Sequence, residues 1–398
     1  MSTPFQLQSL YSKVLAGAID FLKSMDTTYA SLYDTFSTQL SDVIDSDFFH
    51  KLFSYYLEGY PNLSPDLQAI YFRASCVEMA TRLRILMESK IYNENPNKPK
   101  LHCPLFVISF PRSGSTFLHN LLLADPTSKG MKFYQVLAPG GQTTSLDGRY
   151  KYVATTIFQM TSVNSDFSNL HKMAINTPEE ETFMLDALGL SFIRLCSMSR
   201  LNQLREHFDE IDWSYGYTLL KDMMCATAIE DNVPSESHFC MKSVQHFVYM
   251  KELLTTFPNG KFLWIHRNPR DSFKSLLPVF NQVRMTFMES NTQEALLEFN
   301  KTVLTCLSKY LRRALEVRKT FCEQHIVDRN AIRRYVIYKK LEMEMTPKME
   351  ENMKILLQDD SKKKHGTSQN SESLCLLSDA EIDSAFIFYT TQFRAYLE

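Results

Sequence analysis

Three groups of residues in this 398-residue chain have the types and spacings that bind and process anions. The first is Pro111-Arg112-Ser113-Gly114-Ser115-Thr116, where hydroxyls and a glycine gather beside a permanent cation. Gly114 lets the backbone pass close to a ligand, and Ser113, Ser115 and Thr116 stand where hydroxyls can cap a helix. The second is Lys242-Ser243-Val244-Gln245-His246, an ammonium followed by an imidazole, whose pKa suits it to take a proton near neutrality. The third centres on Arg267, a planar fork for phosphate oxygens at the end of an apolar run. A further run, Thr177-Pro178-Glu179-Glu180-Glu181, reads as a helix start: a capping hydroxyl, a proline in the first turn and acids against the dipole. A catalytic carboxylate near Glu180 is the alternative to His246 as the base.

The elements that must position these groups follow from hydrophobic periodicity. Leu105 to Phe110 is apolar or small and β-prone, and from Ser115 apolar residues recur at helical spacing through Phe117, Leu118, Leu121 and Leu122. Strand, tight loop and helix in this order turn backbone N–H groups and the positive end of a helix dipole toward one point, an anion site. His238 to Ser243 and Lys261 to Arg267 are two further buried-strand patterns, separated by helix-like Val248 to Phe257 and a Pro258-Asn259-Gly260 turn. Such a unit implies a right-handed crossover in a parallel sheet, whose ligands bind beyond the C-terminal strand ends. Arg112, Lys242 and Arg267 all fall at those ends. Between residues 239 and 275 six basic residues face two acids, although the whole chain carries a formal charge of only −2. No global basic field therefore argues for nucleic acid.

The loop departs from the nucleoside triphosphate pattern G-x-x-x-x-G-K-[ST], because Ser109 takes the first glycine position and Ser115 the lysine position. The segment PRSGSTFL instead resembles the 5'-phosphosulfate loop of sulfotransferases that use 3'-phosphoadenosine-5'-phosphosulfate (PAPS), and FLWIHRNPRDSFKS resembles their 3'-phosphate motif. The resemblance extends patchily over roughly residues 70 to 398, through HKMAINTPEEE, the KSVQH turn and LSDAEIDSAF. It is closest to a broad group with a K-S-P-x-H pattern, here with Val244 in place of proline; the small-molecule enzymes place histidine two residues after the lysine, again Val244. The resemblance assigns Arg112, Ser113, Gly114, Ser115 and Thr116 to the 5'-phosphosulfate, Arg267 and Ser275 to the 3'-phosphate, and Phe117 and Tyr338 to the adenine. For the transfer itself, Lys242 and Arg112 are the candidates to stabilise the transferring sulfuryl and leaving phosphate, with His246 as base, and such cationic donors suffice without metal. Gln135 stands where many relatives carry glutamate.

The expected fold is α/β: a central parallel sheet with a P-loop-like strand-loop-helix, flanked by helices. Residues 1–100 are expected as a helical N-terminal extension and 101–398 as the sulfotransferase domain. In the latter, Arg334 to Lys339 is a strand, Thr286 to Gln324 and Lys348 to Leu357 are helical, and 359–373 is a flexible loop carrying Lys362, Lys363 and Lys364. Ser378 and Glu381 form a capping box. Eight scattered cysteines read as free thiols, and the longest N-terminal apolar run is too short for a membrane span. The expected protein is cytoplasmic, takes a small and mainly apolar hydroxyl acceptor, and is compatible with a homodimer. A kinase-like phosphotransferase and a catalytically silent nucleotide-binding protein are the alternatives.

Overall fold

The computed structural model describes residues 4–26, 28–44, 46–141, 144–163, 174–287, 290–321, 326–330, 346–360 and 374–397. Its centre is a sheet of five strands: β1 (Leu105–Ser109), β2 (Ser128–Lys129), β3 (His238–Ser243), β4 (Lys261–His266) and β5 (Ile326–Asn330). Their spatial order is β2-β3-β1-β4-β5, and every neighbouring pair runs parallel. Ile108 lies opposite both Ser243 and Trp264, so β1, β3 and β4 end at one level. Three loops thereby leave the sheet along a single edge.

The strands are buried on both faces, as parallel sheets require. Alternate side chains serve different layers. Phe106, Ile108, Phe239, Met241, Phe262 and Trp264 join the largest core, whereas Leu105, Val107, Cys240, Leu263 and Ile265 pack on the opposite side with Leu118, Leu121, Leu122 and Met349. The first hundred residues form the helices Pro4–Met25, Thr28–Ile44, Asp47–Tyr56 and Pro65–Glu94. Phe49, Leu52, Tyr55, Tyr71 and Ile85 from these helices enter the same core as β1. Among the described residues no helix is long and apolar enough to cross a membrane.

Several local expectations are corrected. The helical stretch after β4 is two helices, Pro269–Thr286 and Gln293–Thr320, and the helix near residue 350 runs Pro347–Asp360, into the stretch expected as loop. Thr177 does not start a helix; the helix begins at Thr182. Instead Phe133 N–H donates to Thr177 O (2.9 Å) and Glu179 N–H to Met131 O (3.0 Å), so pairing with a distant segment holds Thr177-Pro178-Glu179 extended, the conformation a residue before proline prefers. The capping box is present, with Ser378 and Glu381 each bonded to the other's backbone. The strand expected over Arg334 to Lys339, with Tyr338, and the lysines 362–364 lie outside the described residues.

Candidate active site

The loop after β1 is shaped by two left-handed residues, Arg112 (φ 66°) and Gly114 (φ 80°). Gly114 occupies the N-cap of the helix Ser115–Leu122, and no side chain caps it, contrary to the capping expected of Ser113, Ser115 or Thr116. The first-turn amides therefore face the loop without a side-chain acceptor, which suits an anion at the positive end of the dipole. Ser113 points the other way: it is buried, and its Oγ donates to Phe110 O at 2.5 Å, so its side chain braces the loop.

Arg267 follows β4 on the next strand, and its NH1 donates to Arg112 O at 2.6 Å. Arg112 Nε in turn donates to Ser275 Oγ at 3.2 Å, so residues some 155 positions apart meet at one edge. Burial, with the like charge of Arg267 beside it, pulls the Arg112 guanidinium below its ordinary pKa, while Glu180 opposes that shift. Two guanidiniums held together in this way favour an anion between them.

Lys242 completes the cationic strip from the other neighbour of β1. Its side chain is buried, its Nζ donates to Thr116 Oγ1 at 3.0 Å, and it forms an ion pair with Glu180. Arg112, Gly114, Ser115, Thr116, Phe117, Lys242, Arg267 and Ser275 all line a cavity of about 980 Å³. Beyond this charged end the wall is mainly apolar, with Ile70, Ala74, Val77, Phe183, Ile193, Val279 and Val283, interrupted by Glu78, Asp186 and Arg194.

His246, expected as the base, does not line the cavity. It is fully buried, with Nε2 at 2.6 Å from Glu181 Oε1 and Nδ1 at 3.0 Å from Tyr217 OH, under the edge of Phe106. Glu181 Oε2 also accepts from the Lys242 backbone N–H at 3.1 Å. The turn after β3 thus folds inward, leaving Val244 at the cavity wall, and valine cannot accept a proton. The ionisable oxygen at the lysine is that of Glu180, and Thr182 Oγ1 donates to its Oε2 at 3.2 Å. Gln135 is buried scaffold: its Oε1 accepts from Lys132 N–H and its Nε2 donates to Asp231 Oδ1. Local reading of the sequence also missed Glu78, Asp186 and Arg194 on the cavity wall, because single charges in otherwise helical stretches carry no spacing signal.

The fold is similar to the crystal structures of sulfotransferase STF9 from Mycobacterium avium (TM-score 0.68, 17% identity, covering 89% of this chain and 92% of that one) and sulfotransferase STF1 from Mycobacterium tuberculosis H37Rv (TM-score 0.69, 16% identity, 89% and 97%). In sequence the chain is similar to omega-hydroxy-beta-dihydromenaquinone-9 sulfotransferase Stf3 of Mycobacterium bovis and of Mycobacterium tuberculosis, each 24% identical over 169 residues. That match spans 42% of this chain and 42% of each relative's length. The model of the sulfotransferase family matches residues 104–328, more than half of the chain and the whole span from β1 into β5, and the chain belongs to that family.

Proposed function

We propose that this protein transfers a sulfuryl group from PAPS to the hydroxyl of a small, mainly apolar acceptor. The observation that carries the reading is the contact of Arg267 with the Arg112 loop and of Arg112 with Ser275, which joins two anion-binding segments into one strip. With Lys242 near the end of β3, and Arg112 and Arg267 just beyond the neighbouring β1 and β4, strands roughly 5 Å apart, the cations suit a nucleotide phosphorylated at two places. The loop-first amides and Arg112 would hold its 5' end, Arg267 and Ser275 its 3'-phosphate, and half-buried Phe117 its base.

The bound donor supplies a sulfuryl group already activated by its link to phosphate. Glu180 takes the proton of the acceptor hydroxyl as the new oxygen–sulfur bond forms. The old sulfur–oxygen bond breaks with its electron pair passing to the phosphate oxygen, and Lys242 and the helix N-terminus stabilise that charge. Lys242 also holds the Glu180 carboxylate in place beforehand. The apolar stretch of cavity wall supports an apolar acceptor, and the hydroxy compound in the name of the Stf3 relatives agrees with a hydroxyl group as the target. The test is to incubate the protein with radiolabelled PAPS and a set of apolar alcohols, with labelled ATP in parallel. A labelled sulfate ester is expected; label passing only from ATP, or no binding of adenosine bisphosphate, overturns the reading.

A further inference from the structure

The cavity wall carries a second polar centre that the transfer chemistry does not use. Glu78 of the helix Pro65–Glu94, Asp186 of the short helix Thr182–Ala187 and Arg194 of the helix Phe192–Ser197 all line the cavity, among Ala74, Val77, Ala187 and Ile193. Arg194 is ion-paired with Glu78. Asp186 is supported from behind, where Gln245 Nε2 donates to its Oδ1 at 2.9 Å, and Gln245 is itself fixed by accepting from Phe192 N–H through Oε1 at 2.6 Å. Tyr56 covers the arginine, with the guanidinium 5.7 Å from its ring centre.

Resting on the reading above, we propose that Asp186, with Arg194 and Glu78, is an acceptor-recognition site that binds a second hydrogen-bond donor, a hydroxyl, on the apolar alcohol being sulfated. Two carboxyl groups share this stretch of wall with Arg194, which is ion-paired with Glu78. Each carboxylate offers about four acceptor positions. The five N–H groups of arginine, the glutamine amide and the Ser191 hydroxyl do not fill them. An incoming donor restores the balance, whereas a hydrocarbon laid against the same wall leaves polar oxygens without water or partner. Placement sets the spacing. Asp186 follows Thr182 by one helical turn, a rise of roughly 6 Å, which sets the scale of the separation between the second hydroxyl and the one that reacts.

The ionisation of Asp186 fits this role. Burial pushes its carboxyl up to about 7, with Arg194 and Gln245 opposing and Glu78 adding to the rise. Tyr56 and Tyr249 are the other titratable groups that sense it, and both are themselves pushed up by burial. A carboxylate is the stronger acceptor, so binding of the donor strengthens as pH rises from about 6 to 8.

The test compares two rigid ligands on the whole protein loaded with adenosine 3',5'-bisphosphate: a decalin diol with hydroxyls at opposite ends, and the decalin mono-alcohol. Calorimetry is expected to show the diol binding about tenfold more tightly. Asp186→Asn should remove most of that preference and its pH dependence. Thermal unfolding of the variant checks that it folds, and the comparison on the unaltered protein stands without it. Equal affinity for the two ligands, binding of neither, or a preference that Asp186→Asn leaves intact overturns the proposal. Sulfation of other alcohols from labelled PAPS would meanwhile keep the proposed activity standing, so the two failures are distinguishable.

Discussion

The turns that follow β1 and β3 leave the same edge of one parallel sheet and contain similar chemistry, yet they do opposite things. The β1 turn opens outward: left-handed Arg112 and Gly114 present a guanidinium and uncapped amides to the cavity. The β3 turn folds inward, burying Gln245 and His246 against Asp186, Glu181 and Tyr217, and only Lys242 and Val244 reach the cavity. Adjacent glutamates repeat the contrast: Glu180 meets the lysine in the cavity, and Glu181 serves the buried imidazole. Position at a strand end therefore makes a residue available to a ligand only if the turn's backbone directs it there.

Removing the carboxylate that meets Lys242 in the cavity separates the two turns most strongly. Glu180→Gln should lower kcat by about 10² to 10⁴-fold, since the amide cannot take the acceptor proton but still offers an oxygen to Lys242. Near-normal turnover with PAPS would return the base to another group. Next in size, Arg267→Ala should weaken adenosine bisphosphate binding by about 10 to 100-fold, from the loss of charge-assisted bonds, with little change in melting temperature; unchanged affinity in calorimetry would detach β4 from the site. His246→Ala should act mainly on stability, costing about 1 to 3 kcal/mol in denaturant unfolding because it strips buried Tyr217 and Glu181 of a partner. A variant as stable as the parent but as inactive as Glu180→Gln would erase the distinction between the turns.

A third strand end offers the mildest test. At β4, His266 is also scaffold, its Nε2 at 2.8 Å from Asp328 Oδ1 and its Nδ1 at 2.6 Å from Tyr389 OH, with Arg318 bonded to both Asp328 oxygens. Burial pushes the Asp328 carboxyl up, but the bonds from His266 and Arg318 outweigh it and hold it down at about 2. Because the folded value lies below the unfolded one, this stabilisation is complete above about pH 4 and is lost as pH falls toward 2. It amounts to about 2 kcal/mol, and Asp328→Asn should flatten acid unfolding over that window. An unaltered acid transition in the variant would show that the network does not carry it.

The strand, loop and helix from Leu105 to Leu122, the strands ending at Ser243 and near Arg267, and the Ser378 cap were all legible because their signals are local: apolar runs, glycine and proline breaks, and a capping pair three residues apart. Two-residue β2 is too short to show a period, and β5 reads as two apolar residues followed by three polar ones in IVDRN, with no alternation to mark a strand. The error at Thr177 came from a local cap signal overridden by pairing with residues 131–133.

By itself the sequence determined which cations lie at strand ends and that those ends belong to one parallel sheet, because strand periodicity and crossover handedness are properties of short stretches of chain. Only the tertiary structure decided that Glu180 rather than His246 stands at Lys242 in the cavity, and that Glu78, Asp186 and Arg194 share its far wall. Those outcomes depend on which way a turn folds and on helices brought together from more than a hundred residues apart, and no spacing along the chain records either.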